Sequence, residues 1–202
     1  MTVILIGATG TIGAAVHNAL SDTHEVIGVG RTSGDLQADL SDPDSIQALY
    51  DAVGSFDAVV SAAGNAAFNP LPELTDEDFE LSLSSKLMGQ VNLVRHGLSH
   101  VNTENNPSFT LVTGLFSKNP IPGSAAISMA NCGVEGFMRG AALEAPDGIR
   151  VNAVSPPWVS ETLEAMEEDP SDGLPAATVA EAFVDSVEGD MNGEIIDARE
   201  YG

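Results

Sequence analysis

Near the amino terminus, three glycines spaced three residues apart have the arrangement of a phosphate-binding turn. Residues 7–13 read Gly-Ala-Thr-Gly-Thr-Ile-Gly, and they follow an apolar run and precede a helical pattern. One glycine permits the chain reversal, one lets the backbone approach the phosphates, and one lets the helix pack against the strand. The helix amino terminus adds free amides and partial positive charge. A plain tight turn is the alternative; we favour a pyrophosphate site formed by Gly7, Thr9, Gly10, Thr11, Ile12 and Gly13.

The end of the second predicted strand carries a basic residue followed by two hydroxyls, Arg31-Thr32-Ser33. Many NAD sites place an acidic residue here, where it holds the ribose 2′-hydroxyl. A guanidinium with neighbouring hydroxyls instead matches the oxygens of a 2′-phosphate. Arg31 is also one of only seven basic residues in the chain. A surface arginine in an ion pair is the alternative, but the cluster favours NADP(H) over NAD(H) as the cofactor.

Strand and helix patterns alternate along the whole chain, which predicts an α/β fold with a mainly parallel sheet. We predict strands over residues 3–7, 25–29, 36–40, 56–62, 108–113, 149–154 and 193–197. We predict helices over 11–20, 43–53, 76–100 and 124–144, with Asp42 and Thr75 as caps of the second and third. The length of 202 residues fits a single domain over 1–202.

Thirty acidic residues against seven basic ones give the chain a formal net charge of −23. This charge repels itself unless salt screens it, which indicates adaptation to molar salt; a merely acidic protein is the alternative. The absence of a basic patch argues against nucleic acid as a partner, and no apolar run reaches the ~18 residues of a membrane span. The single Cys132 and the lack of a Cys/His cluster predict no internal disulfide and no metal site. We expect a cytoplasmic protein in a high-salt cytosol.

Three further segments follow the glycine turn in order, namely Asp39-Leu40, Ser61-Ala62-Ala63-Gly64 and Arg150-Val151-Asn152-Ala153-Val154-Ser155-Pro156. Together with the turn they resemble the short-chain dehydrogenase/reductase family, and the resemblance covers nearly the whole chain. It implies a three-layer, Rossmann-type, doubly wound sheet that binds a nicotinamide dinucleotide. The chain is shorter than typical members, with a brief loop after Pro156, so we expect either a small substrate lid or an unusually open pocket.

The resemblance also implies which residues touch the cofactor. Asp39 and Leu40 would lie at the adenine, with the carboxylate of Asp39 meeting the amino group; a helix-entry acid is the alternative for Asp39. Beside the adenosine ribose would pass Ala62, Ala63 and Gly64. Residues 156–162, including Pro156 and Val159, would cradle the nicotinamide end. Pro157 stands where the family usually has glycine, so this end departs from the family pattern.

The proton-transferring pair of the resembled family is absent. Such members use a Tyr whose pKa is lowered by a Lys four residues later, one helical turn away. Alignment of residues 134–137 and 141–144 puts the Tyr position at Ile127 and the Lys position at Asn131. The family's Ser position falls on Gly114, with Thr113 beside it. The chain's two tyrosines lie elsewhere in the sequence, and Ile cannot transfer a proton.

Lys86 is the candidate that could compensate for this loss. It stands three residues before Gly89, where the family commonly has Asn. We hypothesise that Lys86 projects into the vacant centre and shares the ribose and charge-holding role with Asn131. Desolvation there would lower its pKa and could make it a proton donor. An exposed helix lysine is the alternative.

Other side chains are weaker candidates. Thr113, Ser124 and Ser128 could line the pocket, although a helix-packing role is favoured for each. Trp158 is expected to wall the pocket or pack under the lid. We expect Cys132 to be a buried structural thiol, and His96 and His100 to be surface or interface residues without a third metal ligand.

Two functions follow from this pattern. The first is an NADP(H)-dependent oxidoreductase that acts on a small carbonyl or alcohol by an altered proton relay. The second is a catalytically silent NADP(H)-binding sensor or regulatory protein, which the lost Tyr and Lys favour. The order of the four segments argues against a methyltransferase-like nucleotide binder. The resemblance further implies a homodimer or homotetramer assembled through the two long helices.

Overall fold

The computed structural model describes residues 1–146 and 148–202. Within them, seven parallel strands form one sheet in the order β3-β2-β1-β4-β5-β6-β7. The strands are β1 Thr2–Ile6, β2 Glu25–Gly30, β3 Leu36–Gln37, β4 Ala58–Ser61, β5 Ser108–Val112, β6 Arg150–Ser155 and β7 Ile195–Asp197. The predicted α/β, three-layer, doubly wound fold is confirmed. The third, fourth and seventh strands are each at least two residues shorter than predicted; β3 and β7 lie at the edges of the sheet, whereas β4 is central.

Helices cover both faces of this sheet. They are α1 Thr11–Leu20, α2 Pro43–Val53, α3 Asp76–Leu81, α4 Gly89–Gly97, α5 Ala125–Glu144, α6 Ser160–Ala165 and α7 Ala176–Glu188. One apolar core lies beneath α2, α4 and α5 around Tyr50 and Phe109, and the other beneath α1 and α7 around Phe183. The predicted caps are confirmed: Asp42 accepts from the Asp44 amide at 3.0 Å, and Thr75 forms a capping box with Asp78. No helix among the described residues is long and apolar enough to cross a membrane.

The strands carry long apolar runs because both sheet faces are covered. In β1, for example, residues 3–6 are all buried. The direction of chain winding changes between β1 and β4, which are hydrogen-bonded neighbours. In such sheets a crevice opens beyond the carboxyl ends of the strands at this switch point. The turns after β1, β4, β5 and β6 therefore meet along one edge.

The predicted continuous helix over 76–100 has a different internal structure. A π-helical segment, Ser82–Met88, separates α3 from α4, and α4 ends at Gly97. Ser82 and Ser85 on this segment accept hydrogen bonds from the backbone amides of Ala67 and Asn65, at 2.9 and 3.0 Å. The segment is thereby tied to the loop that follows β4. Wide turns of this kind occur frequently at functional sites.

Candidate functional site

The glycine turn has the steric design that its spacing predicts. Gly7 has a φ of +82°, and a Cβ there would lie 2.8 Å from the Cβ of Ala63. A Cβ on Gly13 would overlap the carbonyl oxygen of Gly7, so α1 can pack against the turn only with glycine at that position. Gly10 is exposed, and a Cβ there would meet only the Gly7 oxygen at 3.4 Å. The first and third glycines thus shape the turn, while the second leaves its outer surface open.

A cavity of about 280 Å³ lies beside this turn. The predicted cofactor residues that line it are Gly7, Thr9, Arg31, Asp39, Leu40, Ala63 and Gly64. Ala62 instead packs beneath Gly7, and Ile12 packs on the core under α1. Thr11, Thr32 and Ser33 are exposed outside the cavity lining. The structure therefore brings the adenosine-side residues together but leaves the two hydroxyls after Arg31 at the periphery.

Arg31 and Asp39 form an ion pair on the rim of this first cavity. The Nε of Arg31 lies 3.3 Å from Oδ2 of Asp39, and both side chains are exposed. Asp39 also accepts the hydroxyl and the amide of Ser41, at 2.6 and 2.9 Å. These two hydrogen bonds, and then the charge of Arg31, lower the pKa of Asp39. Arg31 therefore forms the surface ion pair that was the alternative to a phosphate-binding role. Its Nη groups nevertheless have no acceptor among residues 1–146 and 148–202.

Lys86 is buried, with 6% of its surface exposed, and the exposed-lysine alternative is wrong. Its stem packs against Gly64, where an added Cβ would lie 2.9 Å from Cδ of Lys86. Its Nζ donates to the carbonyl of Thr113 at 3.4 Å. No carboxylate of the described chain lies within 4.0 Å of Nζ, and desolvation lowers the pKa of Lys86 to about 8. Lys86 is thus a buried cation with spare hydrogen-bond donors.

A second cavity, of about 470 Å³, is lined by Thr113, whose carbonyl accepts from Lys86. Lys86 itself lines neither this cavity nor the first, so its predicted projection into the vacant centre is not seen. Thr113, Gly114, Ile127 and Asn131, which lie at or beside the family's catalytic positions, line the second cavity together with Pro156, which was predicted at the nicotinamide end. Its remaining walls come from Phe68, Leu115, Phe116, Pro157, Trp158, Asp172 and Arg199. Apart from a few polar groups the lining is apolar, which is usual for a site that binds a small organic molecule. Trp158 forms part of the wall, as predicted.

Asn131 presents an unpartnered amide to the second cavity. The residue is only 1% exposed, yet its Oδ1 has no hydrogen-bond partner among the described residues. A buried amide oxygen without a partner is costly, so such a group points to a ligand or a water. By contrast, the Thr113 hydroxyl is already engaged with the carboxylate of Glu135 at 3.1 Å. Of the two, Asn131 is the side chain free to meet a ligand.

Glu135 is a buried residue that the sequence analysis missed. Its carboxylate also accepts the hydroxyl of Ser117, and it pairs with Arg139 at 3.6 Å. The signal was present, since Glu135 stands one helical turn after Asn131 and so shares its face of α5. Its partners Thr113 and Ser117 come from the loop after β5. Glu135 therefore fixes that loop against α5, behind the wall of the second cavity.

Other predictions fare differently. Cys132 is exposed, so the prediction of a buried thiol is wrong: it faces away from the sheet, next to the inward-facing Asn131. Val159 is 4% exposed and packs in the core under α7 rather than lining either cavity. Ser124 and Ser128 do pack at the start of α5, bonded to each other at 3.1 Å.

The described ranges 1–146 and 148–202 contain no group of three or more His, Cys, Asp or Glu side chains that could hold a metal ion. His100 stacks on Tyr50, with ring centroids 5.8 Å apart, and its Nε2 lies 3.8 Å from Asp51. The first contact belongs to the packing of α2 against the end of α4. His100 therefore has a packing role in the described structure.

Comparison with known proteins identifies a matching family model and relatives of similar sequence. Residues 8–187 match the family model described as enoyl-(acyl carrier protein) reductase. Cis-4-hydroxycyclohexanecarboxylate dehydrogenase of Sinomonas cyclohexanicum is 29% identical over 196 residues, which cover 86% of this chain and 76% of that protein. Hydroxynaphthalene reductase arp2 of Aspergillus fumigatus is 28% identical over 156 residues, or 75% of this chain. The match spans 56% of the length of that second relative.

Solved structures extend the comparison to the whole fold. The crystal structure of lin1944 from Listeria innocua superimposes with a TM-score of 0.92 at 45% identity, covering 98% of both chains. A small-chain dehydrogenase in complex with NADPH reaches a TM-score of 0.85 at 24% identity, a likeness that shows the fold alone. The family match covers most of the chain, and it agrees with the glycine turn and the parallel sheet. The chain therefore belongs to the short-chain dehydrogenase/reductase family of oxidoreductases.

Proposed function

We propose that this protein is an NADP(H)-dependent oxidoreductase that acts on a small cyclic carbonyl or alcohol with an altered catalytic centre. The observation that carries the proposal is the placement of Lys86, a buried cation without a carboxylate partner in the described chain. Its stem contacts Gly64, which lines the first cavity, and its Nζ donates to Thr113, which lines the second. A buried charge without a partner is costly, and it persists where a ligand or a reaction uses it.

The residues present fit a nicotinamide dinucleotide. Gly7, Gly10 and Gly13 form an open turn at the start of α1, and the amides there suit a pyrophosphate. Arg31 would hold the 2′-phosphate with its free Nη groups, which favours NADP(H) over NAD(H). Lys86 and the amide of Asn131 would hold the nicotinamide ribose. When bound, the nicotinamide supplies or accepts the hydride. The relative of known fold that carries NADPH is consistent with this choice.

Lys86 would also replace the missing tyrosine as proton donor. In carbonyl reduction the substrate oxygen gains a proton, and the ammonium at Nζ of Lys86 can give one, leaving a neutral amine that water protonates again. Its pKa of about 8 suits this exchange at neutral pH, since an effective acid has a pKa near the working pH. Ile127 cannot take part, and the Thr113 hydroxyl is bound to Glu135.

The second cavity favours a ring-shaped substrate. Phe68, Phe116 and Trp158 lie with ring centroids 5.6–6.2 Å apart and form a continuous aromatic wall. Flat or cyclic molecules gain contact area and dispersion energy against such a wall. The two curated relatives described above are named for cyclic compounds, a cyclohexane and a naphthalene.

A silent NADP(H) sensor is the second candidate function. It is favoured by Ile127, which gives the second cavity an apolar side chain at the family's Tyr position. A sensor needs the adenosine-side cavity and the glycine turn but no proton donor. Tight NADPH binding without turnover of any cyclic ketone would support this candidate over the first.

The test combines calorimetry with turnover assays in molar KCl. We expect NADPH to bind more tightly than NADH, and cyclic ketones to be reduced at a rate that falls as pH rises above about 8, where Lys86 loses its proton. Lys86→Met should reduce turnover roughly 100-fold or more. Lys86→Arg keeps the charge but cannot release a proton, so it should retain NADPH affinity and lose turnover. Full activity of Lys86→Arg would exclude the proton-donor role.

We also propose that the protein is a cytoplasmic homodimer or homotetramer in a high-salt cytosol, assembled through the helical region 76–97 and α5. The exposed apolar side chains on these elements include Met88, Met129 and Leu143. An apolar patch on a helix face of a soluble protein often marks an interface. Sedimentation in molar KCl would measure the assembly state.

A further inference from the structure

One cation stands at the exposed end of the aromatic cavity. Arg199 lies in the 3-10 turn Ala198–Tyr201, directly after β7, and it lines the same cavity as Thr113 and Asn131. Its side chain is half exposed, whereas Thr113 and Asn131 are buried. The cavity therefore has a buried polar end, an apolar middle and a charged mouth.

The guanidinium of Arg199 is held in a fixed direction by its own turn. Its Nε and Nη2 donate to the carboxylate of Asp197, at 3.0 and 2.6 Å. Asp197 also accepts the backbone amide of Arg199 at 3.0 Å. The Nη1 group has no acceptor in the part of the chain that the structure describes, so the outer edge of the fork is unoccupied. A guanidinium fixed on one edge and open on the other is preorganised for a planar anion.

The charged side chains around the mouth differ in which of them is open to a ligand. The hydrogen bond from Arg199, and further along the charge of Lys118, lower the pKa of Asp197, which stays ionised and partnered. Asp172 is the other acid on the rim, and it is exposed. Glu200 is a third acid near Arg199, so the acids around the mouth outnumber the one base that lines it among the described residues. An anionic ligand group is therefore favoured by the open Nη1 edge of Arg199 and not by the summed charge.

We propose that the substrate is a cyclic compound bearing a carboxylate, which Arg199 binds at the mouth of the cavity. The ring lies against Phe116 and Trp158, and the carbonyl or hydroxyl carbon points to the buried end near Asn131. This proposal rests on the proposed oxidoreductase function and names its substrate class. Arg199 would thus be a specificity-determining residue, and Asp197 its positioning partner.

The single tryptophan of the chain, Trp158, lines the cavity and reports its occupancy by fluorescence. The experiment titrates the full-length, NADP⁺-loaded protein with cyclohexanecarboxylate, cyclohexanecarboxamide and cyclohexylmethylamine at low and high KCl. We expect the carboxylate to bind about 10-fold more tightly than the amide at low salt, equivalent to ~1.4 kcal/mol. Arg199→Met should remove this preference and leave amide binding unchanged, while Arg199→Lys should keep part of it. Asp172→Asn, a matched rim variant, should leave the preference intact.

Equal affinity for the carboxylate and the amide would overturn the proposal, as would an unchanged preference in Arg199→Met. Tightest binding of the amine would also overturn it, because Asp172 would then be the residue that binds the charged group of the ligand. No change in Trp158 fluorescence with millimolar carboxylate would overturn it as well. The readout is binding, so it is independent of turnover. A protein that reduces neutral cyclic ketones but shows no carboxylate preference would keep the oxidoreductase function and lose this inference, and a carboxylate preference without any turnover would do the reverse.

Discussion

Lys86 combines an energetic cost with a proposed role. A lysine ammonium loses its hydration when buried, and the long hydrogen bond to Thr113 replaces only part of it. The cost is visible in its pKa, which desolvation lowers to about 8. Charged groups that destabilise a fold while packing against cavity-lining residues, as Lys86 does against Gly64 and Thr113, are typical of functional sites.

The first prediction concerns the stability of the cofactor-free protein. A drop in pKa from 10.5 to about 8 corresponds to about 3 kcal/mol of destabilisation at neutral pH. Between these two values the unfolded chain binds more protons than the folded one, so wild-type stability rises with pH across that window. We expect Lys86→Met to raise the free energy of unfolding at pH 7 by up to about 3 kcal/mol, with a gain that vanishes towards pH 10.5. Urea unfolding at fixed KCl measures this.

Lys118→Met is the matched control, because Lys118 is the only other lysine and is exposed. Its effect on the same unfolding curves should stay within about 0.5 kcal/mol at every pH. A Lys86→Met protein that is less stable than wild type at pH 7 would show that the buried ammonium does not destabilise the fold. That result would contradict the proposal that Lys86 is kept in place for a ligand.

For single residues, the sequence predicted which side chains lie near the site better than it predicted what those side chains contact. Lys86 could be identified because it stands three residues before Gly89 in the sequence and because positions 127 and 131 lack Tyr and Lys. The engagement of Thr113 by Glu135 could not, because it depends on how the loop after β5 packs on α5. The same limit explains the error at Cys132, since helical periodicity fixes relative faces but not which face meets the sheet.

Among the elements, the glycine turn permits the sharpest test. Gly10 and Gly13 lie three residues apart, but only a Cβ at Gly13 would overlap the backbone, whereas one at Gly10 would meet the Gly7 oxygen at an ordinary contact distance of 3.4 Å. Gly10 has a φ of −81°, which alanine also adopts. Gly13→Ala should therefore lose roughly 1–3 kcal/mol or more of stability by overpacking, whereas Gly10→Ala should lose at most about 1 kcal/mol. Thermal unfolding distinguishes the two variants.

The affinity for NADPH then distinguishes a glycine that shapes the turn from one that leaves room for the cofactor. A methyl group at Gly10 occupies the open face of the turn, where we expect the pyrophosphate to approach. Gly10→Ala should thus fold normally and bind NADPH at least 10-fold more weakly in calorimetry, a loss of ~1.4 kcal/mol. If Gly10→Ala binds NADPH as well as wild type, the phosphates do not approach the backbone there.

The long helix shows what an element-level pattern conveys and what it omits. Its start at Asp76 follows from Thr75 and the acids after it, because capping chemistry is local. The π-helical segment Ser82–Met88 was not predicted, since the spacing of apolar residues does not show where backbone hydrogen bonds change from the α-helical to the π-helical pattern. Its serines bond to the amides of Asn65 and Ala67, a contact between distant parts of the chain. That tertiary contact accompanies the wide turn which carries Lys86.

For the whole molecule, the parallel sheet could be predicted because strand and helix patterns alternate along the chain, and the resemblance implied its doubly wound form. The surface charge has a separate consequence. Over residues 161–172, six acids and no base occur, and all six acids are exposed. Five ion pairs are found within residues 1–146 and 148–202; none of them includes any of these six acids, and two involve histidine. Folding concentrates this charge, so repulsion opposes the native state at low salt.

The last prediction follows from that repulsion. Raising KCl from 0.1 to 1 M shortens the screening length from roughly 10 to 3 Å. We expect the unfolding midpoint to rise over this range, by roughly 2–4 °C for each kcal/mol of repulsion relieved. The double variant Glu164→Gln/Glu168→Gln should start from a higher midpoint at 0.1 M and gain less from salt. Sucrose at equal osmolality serves as the control, because it favours compact states without screening charge. A midpoint that stays flat in KCl, or that rises equally in sucrose, would mean that self-repulsion does not limit this fold, and would remove the physical basis for expecting adaptation to molar salt.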